Sequence, residues 1–163
     1  MRYLLVIAIM LIGFASCNKT SEPTVTRQDD LRSGKWKMIA GTIRWDPAIG
    51  ADTIIHYYDS LKVCEKDDYL QFKEGIEGIQ NSGQKCDEST PDEVGFHWYL
   101  ENNGKIINIY NAYQTFLHRE AISAPFTSYS PTQFTIRFQD FVPNFTTPSL
   151  NDTLTSTYTF QKF

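Results

Sequence analysis

The three cysteines of the chain, Cys17, Cys64 and Cys86, are the residues whose chemistry is easiest to assign. Three cysteines in an exported protein leave one thiol outside any set of pairs. Cys17 comes directly after an apolar segment near the N-terminus, which sets it apart from the other two. We therefore predict a structural disulfide between Cys64 and Cys86, which closes a loop of about 23 residues and stabilises the fold by about 3 kcal/mol.

A metal site is the alternative use of these cysteines and of the acidic residues near them. The sequence has no CxxC motif, and no histidine lies close in sequence to either cysteine of the predicted pair. The segments Glu65–Asp68 and Asp87–Glu93 are both acidic, and the disulfide would bring their carboxylates together as oxygen ligands for calcium. Because no EF-hand spacing is present and acidic loops are commonly solvated, we predict no metal site and no cofactor.

The sequence also lacks the motifs of the common enzyme classes. It contains no Gly-x-Ser-x-Gly, no His-Glu-x-x-His and no glycine-rich phosphate loop. The histidines His56, His97 and His118 are widely spaced, and we expect them to face solvent, although a cluster in space stays open. We predict that the protein is not an enzyme.

The N-terminus has the layout of an export signal. Met1-Arg2 is a short positive start, and the apolar run Tyr3–Phe14 is too short to span a bilayer. The closing residues Phe14-Ala15-Ser16-Cys17 resemble the bacterial lipobox, which implies a signal peptide over 1–16 and attachment of acyl chains such as palmitate to Cys17. An ordinary signal peptide is the alternative. We predict residues 17–30 to be a flexible tether that holds a cell-envelope, outer-membrane lipoprotein on its membrane.

The remaining residues, 31–163, have the composition of one folded domain. The whole chain has 163 residues, of which 41% are hydrophobic and 14% aromatic, so a real core is expected and wholesale disorder is excluded. The formal net charge is −4. This balance lacks the basic character of nucleic-acid binders, so we predict no nucleic-acid partner.

Alternation of apolar and polar residues at period two predicts about eight strands and no long helix. Glu101-Asn102-Asn103-Gly104 is the strongest hairpin signal, because Asn-Gly supplies positive φ between two apolar runs. A short helix is expected near Gln28–Arg32. Thr115–Ile122 could be a strand or one helical turn, because neither period is clearly stronger there. The pattern predicts an all-β, antiparallel up-and-down meander that closes into an eight-stranded barrel. The segments whose alternation carries this prediction are Trp36–Ala40, Leu70–Phe72, Phe96–Leu100, Phe134–Phe138 and Leu154–Phe160.

Several motifs resemble the bacterial lipocalin-like domain of envelope lipoproteins over about Leu31–Phe163. They are Gly34-Lys35-Trp36, Cys64–Phe72, Gly83–Asp87, Gly95–Leu100 and the closing Thr157–Phe163. The resemblance implies a lipocalin-like eight-stranded barrel or half-open calyx in which the paired cysteines form a bridge. The family supplies a fold and a location more than an activity.

Bulky aromatic residues should line the interior of such a barrel and are the candidate ligand-binding residues. A barrel of this size either fills with side chains or holds one small ligand. We predict binding of a small apolar or amphipathic ligand; the alternative is a filled barrel that binds a protein or glycan partner through its loops. The candidates are Trp36, Phe72, Phe96, Trp98, Phe134, Phe138, Tyr158 and Phe160.

Three tripeptides of the form Asp-Ser/Thr-apolar resemble O-glycosylation sites of some envelope proteins. They begin at Asp52, Asp59 and Asp152 and lie in predicted loops or at strand ends. Such a short motif often occurs by chance, so the sequence leaves modification of at least one site open.

Overall fold

A computed structural model describes residues 24–112, 114–144 and 146–163. These residues form two short helices and nine strands. The helices are α1 (Thr24–Arg32) and α2 (Tyr57–Ser60). The strands are β1 (Lys35–Asp46), β2 (Thr53–Ile55), β3 (Tyr69–Phe72), β4 (Glu77–Asn81), β5 (Glu93–Glu101), β6 (Ile106–Ala112), β7 (Arg119–Ser130), β8 (Gln133–Pro143) and β9 (Asn151–Lys162).

Eight of these strands close into an antiparallel barrel. The first part of β1 pairs with β3, each later strand pairs with the next, and β9 returns to pair with β1 from Trp36 to Asp46. Strand β2 is additional and pairs only with the distal part of β1. Closure leaves few sheet edges with unpaired backbone N–H and C=O groups, which is why a barrel is favourable for a meander. The predicted all-β, eight-stranded architecture is confirmed.

The barrel has two different ends, which we call the base and the mouth. The base carries α1 and the short β3–β4, β5–β6 and β7–β8 turns, and the predicted hairpin at Glu101–Gly104 is among them. Asn102, Asn103 and Gly104 all have positive φ there, as that turn requires. The mouth carries the longer connections 47–68, 82–92, 113–118 and 144–150.

Helix α1 covers the base and is longer than the sequence indicated. It begins at Thr24, so residues 24–30 of the predicted tether belong to a helix that packs on the barrel. Leu31 is fully buried, and its carbonyl accepts a 2.8 Å hydrogen bond from Trp36 Nε1. The Arg27 guanidinium lies 4.2 Å from the centre of the Tyr129 ring, a cation–π contact. The predicted signal peptide 1–16, Cys17 and the tether up to residue 23 lie outside the described residues.

A β-bulge changes which residues of β1 face the interior. The alternation Trp36, Met38, Ala40 predicts three inward side chains, but the register with β9 shifts between Met38 and Ala40. Ala40 is exposed as a result and Gly41 is buried in its place. That part of the prediction is wrong, because a bulge adds one residue to a strand and reverses its subsequent alternation.

The barrel wall is splayed at the mouth between β7 and β8. The two strands pair from Ser130↔Gln133 to Phe126↔Ile136, with a second bulge between Phe126 and Ser128. Residues 119–125 and 137–143 are all described, and no register pair joins them. Strand β8 stays paired with β9 up to Pro143. The barrel is therefore tight near its base and wider near its mouth.

Candidate ligand site at the barrel mouth

The eight aromatic residues predicted to line the interior are all buried there, and near the base they fill it. The ring centroids of Trp36 and Phe134 lie 4.9 Å apart, as do those of Phe134 and Phe160 and those of Phe72 and Trp98. Gly78 faces the Phe96 ring so closely that a Cβ atom would overlap it. Edge and offset contacts at such distances are favourable aromatic packing. These rings mainly cover one another, and only Phe138 and Tyr158 continue the inner wall toward the mouth.

Above this filled region, two large apolar side chains of the inner wall remain open to solvent. Trp45 pairs with Leu154 and therefore shares the inner face of β9 with Tyr158 and Phe160. Ile55 of β2 reaches the same face through its pairing with Ile43. Trp45 is 40% exposed and Ile55 is 45% exposed. The sequence missed both residues, because the bulge that turns them inward leaves no clear mark in the apolar pattern.

Asp152 holds this part of the mouth in shape. Its carboxylate accepts hydrogen bonds from Trp45 Nε1 at 3.0 Å, from the Ala48 amide at 2.9 Å and from Asn144 Nδ2 at 2.7 Å. The bond from Asn144, with those from Ala48 and Trp45, holds the pKa of Asp152 below its usual range. One carboxylate thus joins the β1–β2 and β8–β9 connections and fixes the orientation of the Trp45 ring.

Polar groups accompany the apolar wall. Ser156 lies between Leu154 and Tyr158 on the inner face of β9; its side chain is fully buried and its hydroxyl has no hydrogen-bond partner among the described residues. Arg119 Nε donates to Asp140 Oδ2 at 3.0 Å, which joins β7 to β8 where these strands are splayed. The Arg119–Asp140 pair is partly exposed, so it places polar groups beside the apolar wall.

A short segment of the β6–β7 connection, Thr115–Leu117, folds inward and covers part of the mouth; we call it the plug. The Phe116 amide donates to Gln80 Oε1 at 2.7 Å, and its carbonyl accepts from the Tyr57 hydroxyl at 2.7 Å. All three plug residues are buried, and the Phe116 ring lies 6.2 Å from that of Phe160. The sequence left Thr115–Ile122 open between a strand and one helical turn; its first part is this irregular loop, held by side chains, and its second part begins β7 at Arg119.

A small cavity of about 160 Å³, lined by both apolar and polar side chains, lies between the plug and the disulfide loop. Its lining includes Leu61, Glu65, Asp68, Gln80, Phe116 and His118. Gln80 Nε2 donates to Asp68 Oδ2 at 2.8 Å, so one buried amide links the carboxyl to the plug. Burial, with a smaller contribution from the nearby Asp67 charge, raises the pKa of Asp68 to about 6.

The disulfide Cys64–Cys86 borders the same cavity, which confirms the predicted pair. The Cα atoms are 5.2 Å apart, within the usual range for a disulfide. The bridge joins the connection before β3 to the one between β4 and β5. It therefore ties together two of the long loops of the mouth.

The acidic clusters near the disulfide make local contacts. Asp67 Oδ2 accepts from the Gln84 amide at 2.9 Å, and Asp92 pairs with Lys85 at 2.8 Å. Asp87 accepts bonds from the Ser89 amide and hydroxyl, which lower its pKa. Among the residues that the structure describes, no group of three or more histidine, cysteine, aspartate or glutamate side chains is placed to hold a metal ion.

The histidines and the predicted modification sites lie at the surface. His97 is on the outer face of β5, 3.5 Å from Glu77, and His56 and His118 are exposed in mouth loops. In the tripeptides, Thr53 and Ser60 are exposed, whereas Thr153 is half-buried next to the structural Asp152. The first two sites thus have room for a glycan, and their modification stays a prediction.

The chain was compared with models of known protein families and with curated protein sequences, and it matches none of them. In the described part of the chain, no helix has the length and apolar character needed to cross a membrane.

Proposed function

We propose that this protein is a non-enzymatic, envelope-anchored lipoprotein of the lipocalin-like kind, which binds a small apolar or amphipathic ligand at the mouth of its barrel. The observation that carries the proposal is the open inner wall at Trp45 and Ile55, directly above a core that is filled by its own rings. The Arg119–Asp140 pair, which joins β7 to β8 where the wall is splayed, adds polar groups for the ligand.

The proposal places the ligand higher in the barrel than the sequence suggested. Small-molecule sites combine a mostly apolar wall with a few placed polar groups. At the mouth, Trp45, Ile55 and Leu154 supply the wall, and the Arg119–Asp140 pair supplies the polar groups. Covering exposed apolar area contributes about 25 cal/mol per Å², so an alkyl or aromatic group lying over Trp45 and Ile55 gains free energy from both.

Tryptophan fluorescence tests the proposal, because the three tryptophans differ in exposure. Trp36 and Trp98 are fully buried, whereas Trp45 is 40% exposed. Acrylamide should therefore quench Trp45 selectively, and the neutral apolar probe Nile red should protect it while its own emission rises. Unchanged quenching together with no rise in Nile red emission would contradict ligand binding at the mouth.

A matched pair of variants locates the site. Trp45→Ala removes an exposed aromatic ring from the inner wall, and Phe141→Ala removes a more exposed ring, at 68%, from the outer face of β8. We expect Trp45→Ala to weaken Nile red binding about tenfold, a loss of about 1.4 kcal/mol. Phe141→Ala should leave it unchanged. Equal losses in both variants would indicate nonspecific adsorption of the probe.

The second candidate function is a filled-barrel module that binds a protein or glycan partner through its loops. The filled base favours it, as do the exposed apolar side chains Ile49, Val63 and Leu150 in the mouth loops. This candidate predicts that Nile red does not bind at the mouth and that substitution of Val63 or Ile49 abolishes partner binding.

Anchoring through Cys17 is the part of the proposal that concerns location. Six residues, Asn18–Pro23, separate Cys17 from the start of α1 at Thr24. Two or three acyl chains hold a protein durably on a membrane, whereas one chain binds marginally. We expect the native protein to partition into a detergent phase and its intact mass to exceed that of the polypeptide 17–163. Cys17→Ser should abolish both properties; a detergent-phase Cys17→Ser protein would contradict this anchor.

A further inference from the structure

The side-chain charges of the barrel are distributed unevenly between its two ends. The base carries seven basic and five acidic side chains, counted over residues 24–37, 73–77, 101–106, 130–134 and 160–163. The mouth carries five basic and thirteen acidic side chains, counted over residues 44–68, 82–93, 114–120 and 139–154. The mouth carboxylates are Asp46, Asp52, Asp59, Glu65, Asp67, Asp68, Asp87, Glu88, Asp92, Glu93, Glu120, Asp140 and Asp152.

Most of the basic side chains at the mouth are already paired with carboxylates. Arg119, the basic group of the inner wall, is bound to Asp140 at 3.0 Å. On the outer face, Arg44 contacts Asp46 at 2.8 Å and Asp52 at 3.0 Å. A carboxylate excess therefore remains among the mouth residues after these pairs are formed.

The charged side chains that line the cavity beside the plug are also acidic. Glu65 and Asp68 both line it, and none of the described residues that line it is a lysine or an arginine. A cleft whose walls carry one sign of charge concentrates the field and attracts ions of the opposite sign. Charges within a Debye length of about 10 Å act together on a ligand at the entrance.

We propose that the ligand of the mouth is a cationic amphiphile, an aliphatic amine or quaternary ammonium compound. This inference rests on the proposed function and adds the chemical class of the ligand. The apolar part of the molecule covers Trp45 and Ile55, and its ammonium group lies among the carboxylates of the mouth. An anionic amphiphile of the same shape meets the same wall and is repelled by the same carboxylates.

The groups around Asp68 are consistent with a cationic ligand. Glu65 and Asp67 face Asp68 from the same connection, which precedes β3. Gln80 faces it from β4, and the Gly83 backbone faces it from the β4–β5 connection. His118, in the β6–β7 connection, borders the cavity. The ionised form of Asp68 is disfavoured in the empty protein, and a nearby ammonium group would favour it. Cation binding should therefore weaken as the pH falls through about 6.

Three probes with the same ten-carbon chain test the class of ligand: decyltrimethylammonium, decanol and decanoate. Each displaces Nile red from the Cys17→Ser protein at concentrations below its micelle threshold. We expect the cation to bind about tenfold more tightly than the anion at about 20 mM salt, with decanol between them, and the gap to close at about 500 mM.

The outcomes separate the two proposals. Decanoate that binds as tightly as the cation, at low salt, overturns the inference and leaves ligand binding at the mouth intact. Failure of all three probes and of Nile red overturns the proposed function and the inference together. Preference for the cation that does not respond to salt also contradicts the inference, because attraction by exposed carboxylates is screened.

Charge-neutralising variants locate the effect. Glu65→Gln, alone and with Asp68→Asn, removes cavity carboxylates, while Glu74→Gln removes an exposed carboxylate from the base. We expect the mouth variants to reduce the preference for the cation about threefold and the base variant to leave it unchanged. Glu65 is not buried, so the single variant keeps the test valid even if the double variant unfolds. Equal effects at the two ends would overturn the inference.

Discussion

Gln80 is a buried polar side chain on the inner wall, and its two hydrogen bonds explain its presence. It accepts a hydrogen bond from the Phe116 amide and donates one to Asp68 Oδ2. One buried side-chain amide thus provides a hydrogen-bond partner for both the plug and the carboxyl. Buried polar groups that lose such partners cost more than the bond itself contributes, because they stay desolvated. The plug is therefore kept in place by one residue of the wall.

Replacing Gln80 by Leu should loosen the plug. The variant leaves the Phe116 amide and the Asp68 carboxyl without that partner, at a cost of about 1–3 kcal/mol in the free energy of unfolding. Hydrogen exchange should show faster exchange of the Phe116 amide than in the parent protein. Gln139→Leu, at an exposed position of β8, is the control, and equal exchange rates in both variants would contradict this role of Gln80.

The raised pKa of Asp68 makes stability depend on pH. Because the pKa is about 6 in the folded protein against 3.8 for the free side chain, Asp68 contributes stability that is fully present below about pH 3.8 and is lost as the pH rises through about 6. Asp68→Asn should thus stabilise the protein at about pH 7.5, by on the order of 2 kcal/mol. Urea unfolding across the pH range should show this gain shrinking toward pH 4; a constant gain would argue against a pKa origin.

At the scale of elements, local signals were strong enough to predict much of the sheet. Strand β5 follows from clean alternation, β6 from the apolar run after the Asn103-Gly104 turn, and β8 and β9 from alternating phenylalanine, tyrosine and threonine. The bulge at Met38, the inward plug and the early start of α1 were not predictable. Each depends on long-range contacts, such as that of Arg27 with Tyr129, that the local pattern does not contain.

The same distinction applies to the candidate site. The aromatic interior was predicted because bulky apolar residues alternate along the strands, whereas the open wall at Trp45 and Ile55 depends on a bulge and on an extra strand. Ser156 could have been placed inward from its parity with Tyr158 and Phe160. Nothing in the sequence indicates that its hydroxyl lacks a partner.

The disulfide is the covalent link between elements of the mouth. Replacing both Cys64 and Cys86 by Ser should lower the free energy of unfolding by about 3 kcal/mol, because the unfolded chain regains the freedom of a loop of about 23 residues. Urea unfolding of the double variant measures the loss, and Cys17→Ser is the control. An unchanged midpoint would show that the bridge does not constrain the unfolded chain.

For the molecule as a whole, the base supplies stability and the mouth remains available for function. Phe134 contacts Trp36, Phe160 and Phe126 in the base, so Phe134→Ala should cost about 3–5 kcal/mol. Phe141→Ala, on the outer face, should stay within about 0.5 kcal/mol of the parent protein. Thermal unfolding compares the two; a similar loss in both would show that the base is not the stabilising half.

Helix α1 covers the base, at the end of the barrel opposite the mouth. Only six residues, Asn18–Pro23, separate Cys17 from Thr24, so the acyl anchor that we propose at Cys17 would tether the barrel by its base. The proposed ligand site would then lie at the end of the domain that is not tethered.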